Sequence, residues 1–164
     1  MQNSVEQKRT LNLYLGGGPE MSELVLVDTS IWVTHFREGQ KQLTQLLEQG
    51  LVACHPFIVG ELACGSLKNR GEIIQLLEAL PIVDVLEHTE IMEFIESRKL
   101  MSMGIGYIDT HLLGSSLVSS TPLWTYDKSL IKAAKSLKVC FDGKSKKITN
   151  KDRLCERSEP QSIL

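Results

Sequence analysis

The sequence has no long hydrophobic run, no secretion signal and no closely paired cysteines. No stretch approaches the roughly 18 to 20 apolar residues of a membrane-spanning helix, and the N-terminus lacks the apolar core of a signal peptide. Three of the four cysteines lie beside apolar residues, and none forms a CxxC motif: Cys54, Cys64, Cys140 and Cys155. We therefore expect reduced, buried thiols, with Cys64 a structural thiol, and a cytoplasmic protein without membrane attachment.

A strong charge of either sign is also missing, because the formal net charge is −2. No global basic field therefore indicates a nucleic-acid partner. The distribution along the chain is uneven, however, since basic residues dominate between Lys128 and Arg153. The lysines just after Asp127 are candidate RNA contacts: Lys128, Lys132 and Lys135.

The length of 164 residues suits one domain with extensions. Residues 1–20 are polar, lack periodicity and end in a Gly-Gly-Gly-Pro cluster, so we interpret them as a leader, a tag or a non-native extension. Residues 21–142 carry the patterned sequence and are the predicted domain. Residues 143–164 are lysine-rich and aperiodic, which predicts a flexible tail.

Short apolar strands alternate with amphipathic helices along residues 21–142. The predicted strands are 25–27, 51–54, 82–86, 123–125 and 139–141. The predicted helices are 29–36, 41–49, 56–65, 73–80, 88–101, 107–119 and 128–137. This alternation predicts an α/β fold, a three-layer α/β/α sandwich with a central parallel sheet.

Two strands end in carboxylates at the same edge of the predicted sheet. Asp28 follows the first strand directly, and Asp127 follows the fourth. Either aspartate alone is an ordinary helix N-cap. Ligand sites of open α/β sheets lie at the carboxyl ends of the strands, so the pair together favours a functional site.

Two further acids lie on the inward side of their predicted helices. Glu61 adjoins the apolar stripe of its helix, and Asp109 lines up with Leu112 and Leu113. Four converging carboxylates would repel one another unless cations neutralise them. Oxygen-only ligands suit Mg²⁺ or Mn²⁺ rather than zinc. Such ions support hydrolysis of phosphodiesters, with neighbouring hydroxyls orienting ligands or water: Thr29, Ser30 and Thr125.

Four motifs in order resemble those of PIN-domain nucleases, most closely the VapC-type toxins of bacterial toxin–antitoxin pairs. They are VDTSIW at 27–32, EL at 61–62, GYID at 106–109 and LWTYDK at 123–128. The resemblance covers about residues 24–141 and implies a Mg²⁺- or Mn²⁺-dependent endoribonuclease that leaves 5′-phosphate and 3′-hydroxyl ends. It assigns catalysis and metal binding to an acidic quartet: Asp28, Glu61, Asp109 and Asp127.

The same resemblance implies partners. It implies a homodimer, an RNA substrate and a VapB-like antitoxin whose C-terminal segment fills the acidic groove. Candidate RNAs in the family include transfer RNAs and exposed ribosomal RNA loops, and the sequence does not choose between them. Tyr126 departs from the family pattern, because a charged residue is frequent at its position.

Two other functions remain open at this point. A phosphatase with Asp28 as covalent nucleophile requires a second aspartate two residues later, where this chain has Ser30. A PIN-like module that binds RNA or a partner without catalysis is the other alternative. The four histidines are not paired at metal-ligand spacing, and His111 is predicted to face solvent because it lies opposite Asp109 on its helix.

Overall fold

A short parallel β-sheet forms the centre of the protein. The computed structural model describes residues 18–143. The strands lie in the order β2-β1-β3, and their bounds are Val25–Val27 for β1, Val52–Ala53 for β2 and Leu123–Trp124 for β3. Val25 pairs with Val52, and Leu26 pairs with Leu123. The three residues of β1 are fully buried, as their unbroken apolar sequence predicts for a strand covered on both faces.

Two of the five predicted strands are reduced to single bridges at the edges of this sheet. Within 82–86 only Ile82 is bridged, to Cys54, and within 139–141 only Cys140 is bridged, to Leu123. Those two strand predictions were wrong. Both segments lie at outer edges, where a partner is available on one side only. Pro81 also lacks an N–H with which to extend the pairing.

Seven α-helices lie within residues 18–143, and all seven were predicted. Their bounds are Thr29–Glu38 (α1), Lys41–Glu48 (α2), Pro56–Cys64 (α3), Arg70–Glu78 (α4), His88–Arg98 (α5), Tyr107–Ser119 (α6) and Lys128–Ser136 (α7). A 3₁₀ turn, Met21–Glu23, precedes β1. The predicted extension of α5 to residue 101 was wrong, because Lys99 adopts a left-handed φ of 52° and ends the helix.

The helices that follow the three strands begin with a side-chain cap. The Asp28 carboxylate accepts the Ser30 N–H, the His55 ring accepts the Phe57 N–H, and Asp127 accepts the Leu130 N–H. Each cap satisfies one of the free N–H groups at a helix start. The helices can therefore begin after only one to three intervening residues, which holds their first turns at the carboxyl edge of the sheet.

Helix α6 is buried on nearly all sides and packs against α5, α7 and β3. Residues 110–116 are all buried. A Cβ added at Gly114 would lie 3.3 Å from side-chain atoms of both Ile91 and Leu86, so only a hydrogen fits there comfortably. The prediction that His111 faces solvent was wrong, because its side chain is 3% exposed. The rings of Phe57 and Tyr107 cover it, each packed edge to face against the His111 ring with centroids 4.6 Å apart.

The described cysteines are free thiols in three different environments. Cys54 is buried, Cys140 is half-buried and Cys64 is exposed. The expectation of a buried thiol is therefore confirmed for Cys54 and wrong for Cys64, which lies in the last turn of α3. Cys155 lies outside the described residues, as do most of the predicted leader and tail. No helix within residues 18–143 is long and apolar enough to cross a bilayer.

Candidate active site

Asp28 is a buried carboxylate held by hydroxyl donors at the end of β1. Its side chain is 7% exposed. One carboxylate oxygen, Oδ2, accepts hydrogen bonds from the Ser30 hydroxyl at 2.6 Å and from the Thr125 hydroxyl at 2.8 Å. The Ser30 backbone N–H lies 3.2 Å from the same oxygen. Because three donors converge on one oxygen, the orientation of this carboxylate is fixed.

The donors to Asp28 also connect it to the loop after β3. The Ser30 hydroxyl oxygen accepts the Tyr126 N–H at 3.0 Å, and the Thr125 hydroxyl oxygen accepts the Asp127 N–H at 3.0 Å. The predicted supporting roles of Ser30 and Thr125 thus correspond to contacts that join the ends of β1 and β3. These are the strand ends that carry Asp28 and Asp127.

Asp109 lies in the first turn of α6 and is half-buried. Its Oδ2 accepts the Gly106 N–H at 2.7 Å. Burial raises the pKa of the Asp109 carboxyl, the Gly106 hydrogen bond opposes that shift, and the negative charges of Asp28 and Asp127 raise the pKa further. Asp109 therefore lies within electrostatic range of both strand-end aspartates.

Asp127 is exposed and caps α7, accepting the Leu130 N–H at 2.7 Å. Both strand-end aspartates are therefore helix caps, as the simplest interpretation of each one predicted. Their electrostatic effect on Asp109 is an additional property. An aspartate can cap a helix and also bind a ligand, because a carboxylate that accepts a backbone N–H retains further lone pairs.

Glu61 completes the set from α3, but it is exposed rather than turned towards the core. The prediction that it faces inward was wrong. Its Oε2 accepts the Thr29 hydroxyl at 2.5 Å. Thr29 is the first residue of α1 and follows Asp28 directly, so this bond holds Glu61 at the same end of the sheet.

The four acids have the donor chemistry of a divalent-cation site, although their side chains are engaged elsewhere. Among residues 18–143, no three His, Cys, Asp or Glu side chains are arranged to hold a metal ion. Each carboxylate instead accepts a neighbouring hydroxyl or N–H: Asp28, Glu61, Asp109 and Asp127. The charged side chains that shift the pKa of Asp109 are both carboxylates. Oxygen donors with uncompensated negative charge fit Mg²⁺ or Mn²⁺.

Three lysines of α7 are exposed, as predicted: Lys128, Lys132 and Lys135. They begin directly after Asp127.

Sequence reasoning missed two contacts of the residues near the acids. The Gly106 backbone N–H orients Asp109. The Gln40 side-chain amide donates to the Tyr126 hydroxyl at 2.5 Å. The separation of Gly106 and Asp109 by three residues is the spacing of a capping box and was a usable signal. No local pattern joins Gln40 to Tyr126.

The chain matches known proteins over the same region that carries these acids. The PIN domain family model matches residues 25–136. Ribonuclease VapC32 of Mycobacterium tuberculosis, from strain CDC 1551 / Oshkosh, is 42% identical over 108 residues, which covers 65% of this chain and 87% of that protein. Ribonuclease VapC32 of strain ATCC 25618 / H37Rv matches with the same figures.

One solved structure also aligns with this chain. The crystal structure of PAE2754 from Pyrobaculum aerophilum has a TM-score of 0.48 and 15% sequence identity, and the alignment covers 74% of this chain and 85% of that one. Membership of the family rests on the family model and on the identity to the two ribonucleases, and not on that structural alignment. The chain therefore belongs to the PIN-domain family and is of the VapC type.

Proposed function

We propose that this protein is a Mg²⁺- or Mn²⁺-dependent endoribonuclease and the toxin of a toxin–antitoxin pair. The observation that carries the proposal is the grouping of acids from two strand ends and one helix start: Thr125 joins Asp28 to the Asp127 N–H, and the like charges of both aspartates repel the Asp109 carboxylate and add to the effect of burial in raising its pKa. A divalent cation relieves such repulsion. Two relatives at 42% identity are named as ribonucleases, which supports RNA as the substrate class.

In this proposal each acid has a metal-binding role. Asp28, Glu61 and Asp109 would hold one or two cations, and Asp127 would complete the site. A cation bound by these residues would supply a water molecule of lowered pKa and would offset the charge of the phosphodiester. The Ser30 and Thr125 hydroxyls fix Asp28, and the Thr29 hydroxyl restrains Glu61, so these three positions orient the ligands.

The exposed lysines of α7 are the proposed contacts for RNA phosphates: Lys128, Lys132 and Lys135. Lysine ammonium groups bind phosphates as point charges without reading the base sequence. Because α7 begins at the Asp127 cap, a strand bound along it enters the acidic site at one end.

The partners belong to the same proposal. A VapB-like antitoxin would inhibit the enzyme by laying its C-terminal segment in the acidic groove, and two copies of the chain would form a homodimer. We also propose that residues 21–142 are the catalytic unit, that residues 1–20 and 143–164 are extensions, and that the protein acts in the cytoplasm. The family match to residues 25–136 is compatible with those boundaries.

The direct test is cleavage of bulk bacterial RNA by the purified protein. We expect cleavage in Mg²⁺ or Mn²⁺, none in EDTA, and a loss of at least a hundredfold in Asp28→Asn. Glu48→Gln removes an exposed carboxylate at the end of α2 and is the matched control, with cleavage expected at the wild-type rate. Equal cleavage by Asp28→Asn and wild type would overturn the assigned site.

A second candidate function is an RNA- or partner-binding module without catalysis. The observation in its favour is that no three His, Cys, Asp or Glu side chains within residues 18–143 are already arranged around a metal position. Titration calorimetry with Mn²⁺ separates the two functions. Binding that is abolished in Asp28→Asn supports the nuclease, whereas the module predicts no Mn²⁺ binding by either protein.

A further inference from the structure

Two buried histidine rings contact each other where α3 begins. His55 caps α3 and His111 lies in α6, and their side chains are 0% and 3% exposed. Their ring centroids lie 6.1 Å apart, with an interplanar angle of 60°. Four buried side-chain polar atoms have no hydrogen-bond partner within residues 18–143, and three of them are nitrogens of these two rings: His55 Nε2, His111 Nδ1 and His111 Nε2. The unmet hydrogen-bonding capacity of the described chain is therefore concentrated at one contact.

Each of the two rings has an N–H group that requires an acceptor. The Nδ1 atom of His55 accepts the Phe57 N–H at 3.0 Å, so the proton of the neutral ring lies on Nε2. Burial, with a smaller contribution from the charge of His111, lowers the pKa of His55 to about 4, so this ring is neutral at pH 7. His111 carries at least one N–H in either protonation state. Folded proteins rarely leave a buried N–H without an acceptor, because its lost hydration is not replaced.

The separation of the rings excludes a direct hydrogen bond and suits a bridging water molecule. An imidazole nitrogen lies about 1.2 Å from its ring centroid, so a direct N–H···N bond of about 2.9 Å requires centroids within roughly 5.3 Å. A water molecule bonded to one nitrogen of each ring extends that limit to roughly 7 Å. The observed separation of 6.1 Å lies between the two limits.

The chemistry of the rings favours water over a metal ion or an anion. A metal ion at His55 requires a bare Nε2, but that nitrogen carries the proton because Nδ1 accepts the Phe57 N–H. An anion would be surrounded mainly by aromatic rings, since Phe57 and Tyr107 lie against His111 with centroids 4.6 Å away, and burial of a charge there is costly. Water accepts from His55 and bonds to either nitrogen of His111, because it both donates and accepts.

The histidine pair also joins two helices that carry acids of the proposed metal site. His55 fixes the start of α3, which carries Glu61. His111 follows Asp109 by two residues in α6. A hydrogen-bonded link between His55 and His111 holds the first turn of α3 against α6, so it limits the movement of Glu61 relative to Asp109.

We propose that one buried water molecule bridges His55 and His111 and that this link positions Glu61 and Asp109 relative to each other. The water site itself is independent of the proposed ribonuclease function, whereas its positioning role rests on that function and deepens it. The two histidines are positioning residues, because they act on the acids through α3 and α6 and are not among the four proposed metal ligands.

NMR of the full-length protein tests the water site directly. We expect the His55 Nε2 proton to show a cross-peak to a long-lived bound water. Oxygen-17 relaxation dispersion should count one long-lived water fewer in His111→Phe than in wild type. His88→Phe removes an exposed histidine and is the control, with the count unchanged. An equal count in His111→Phe and wild type, or an observed His55 Nε2 proton without a water cross-peak, would overturn the water site.

Three substitutions at His111 separate the water-mediated link from ring packing. His111→Phe keeps an aromatic ring without polar atoms, whereas His111→Asn and His111→Gln place an amide near the position of Nδ1 or Nε2. Packing alone predicts that phenylalanine is the best replacement. We expect instead that His111→Phe raises the Kd for Mn²⁺ about fivefold, and that one amide variant keeps the water and stays within about twofold of wild type. The fivefold loss is smaller than the roughly tenfold or more that follows loss of a group bonded directly to a metal ligand.

Titration calorimetry measures the Mn²⁺ affinities, and thermal unfolding tests whether each variant is folded. Mn²⁺ binding by His111→Phe that equals or exceeds that of both amide variants would overturn the positioning role. If wild type binds Mn²⁺ and cleaves RNA but lacks the bridging water, only the inference from the histidine pair fails. If wild type holds the water but binds no Mn²⁺, the positioning role fails together with the proposed nuclease.

Discussion

The hydroxyl of Thr125 donates a 2.8 Å hydrogen bond to the carboxylate of Asp28, across 97 positions of sequence. The same hydroxyl oxygen accepts the Asp127 N–H at 3.0 Å. One threonine therefore connects the acid at the end of β1 with the acid that follows β3. Because its side chain is only 5% exposed, water does not readily replace it.

Thr125→Val should impair both stability and RNA cleavage. Valine keeps the shape but leaves the Asp127 N–H without its acceptor and removes one donor from Asp28. A buried polar group without its partner costs about 1–3 kcal/mol of unfolding free energy. Urea denaturation and initial cleavage rates in Mg²⁺ measure the two effects.

Thr125→Ser distinguishes a positioning role from a packing role. Serine keeps the hydroxyl and loses only a methyl group, so cleavage should recover while some stability remains lost. If Thr125→Ser cleaves as poorly as Thr125→Val, the hydroxyl is not what supports Asp28.

Asp109→Asn should raise stability in the absence of divalent cations while abolishing cleavage. Burial and the charges of Asp28 and Asp127 raise the pKa of Asp109, so its ionised form is disfavoured in the folded protein. Asparagine removes that charge and can still accept the Gly106 N–H. In EDTA at pH 7 we expect a higher Tm for Asp109→Asn than for wild type.

The pH dependence of that difference has a definite sign. A carboxyl whose folded pKa is raised binds its proton more tightly in the folded state, so wild-type stability gains as pH falls through that pKa. The advantage of Asp109→Asn should therefore shrink towards pH 4. Glu48→Gln, on an exposed helix end, is the control and should show no such change. A lower Tm for Asp109→Asn at pH 7 in EDTA would contradict the proposed repulsion.

The buried His55 should make the protein sensitive to acid. Burial, with a smaller contribution from the charge of His111, lowers the pKa of His55 to about 4. The Nδ1 atom accepts the Phe57 N–H, and Nε2 has no hydrogen-bond partner. A histidine with a depressed folded pKa contributes stability above its unfolded pKa of about 6.5, and that contribution is lost as pH falls towards 4.

His55→Asn should flatten this acid response. Asparagine is a good N-cap and can accept the Phe57 N–H, but it does not titrate. We expect the urea midpoint of His55→Asn to vary less than that of wild type between pH 7 and pH 4.5, although its stability at pH 7 is lower because the ring leaves a cavity. Parallel pH profiles for the two proteins would exclude His55 as the source.

Lys128→Gln with Lys132→Gln should weaken RNA binding and its dependence on salt. Each lysine that neutralises a phosphate contributes a slope of about 0.7 to the plot of log Kd against log salt for single strands. We therefore expect the slope to fall by roughly 1.4 in the double variant. Lys68→Gln, also an exposed lysine but between α3 and α4, should leave the slope unchanged. An unchanged slope in the double variant would exclude α7 as the RNA contact.

The sequence was sufficient for features that depend on local patterns. The unbroken apolar run of β1 predicted a strand buried on both faces, and the capping positions of Asp28 and Asp127 predicted where α1 and α7 begin. The aspartates at two strand ends followed from the topology of a parallel sheet. Such features need only the identity of residues near one another in the chain.

Features that depend on the surroundings of an element were harder to predict. His111 was assigned to solvent because it lies opposite Asp109 on its helix, but the rings of Phe57 and Tyr107 pack against it and it is buried. The edge segments 82–86 and 139–141 have strand composition, yet each has neighbours on one side only. Glu61 was placed on the inner side by helical periodicity, whereas its exposure depends on how α3 packs against α1 and α4.

The enclosure of α6 has a consequence for the tolerance of the site to different ions. Asp28 and Asp109 are mounted on a buried strand and on the most enclosed helix, whereas Glu61 and Asp127 are exposed. Two of the proposed metal ligands are therefore held in packed surroundings, and the other two are open to solvent. We expect a change of ionic radius, such as Mg²⁺ to Mn²⁺, to be absorbed by the exposed pair, with Asp28 and the half-buried Asp109 serving as a fixed reference point for the reacting phosphate.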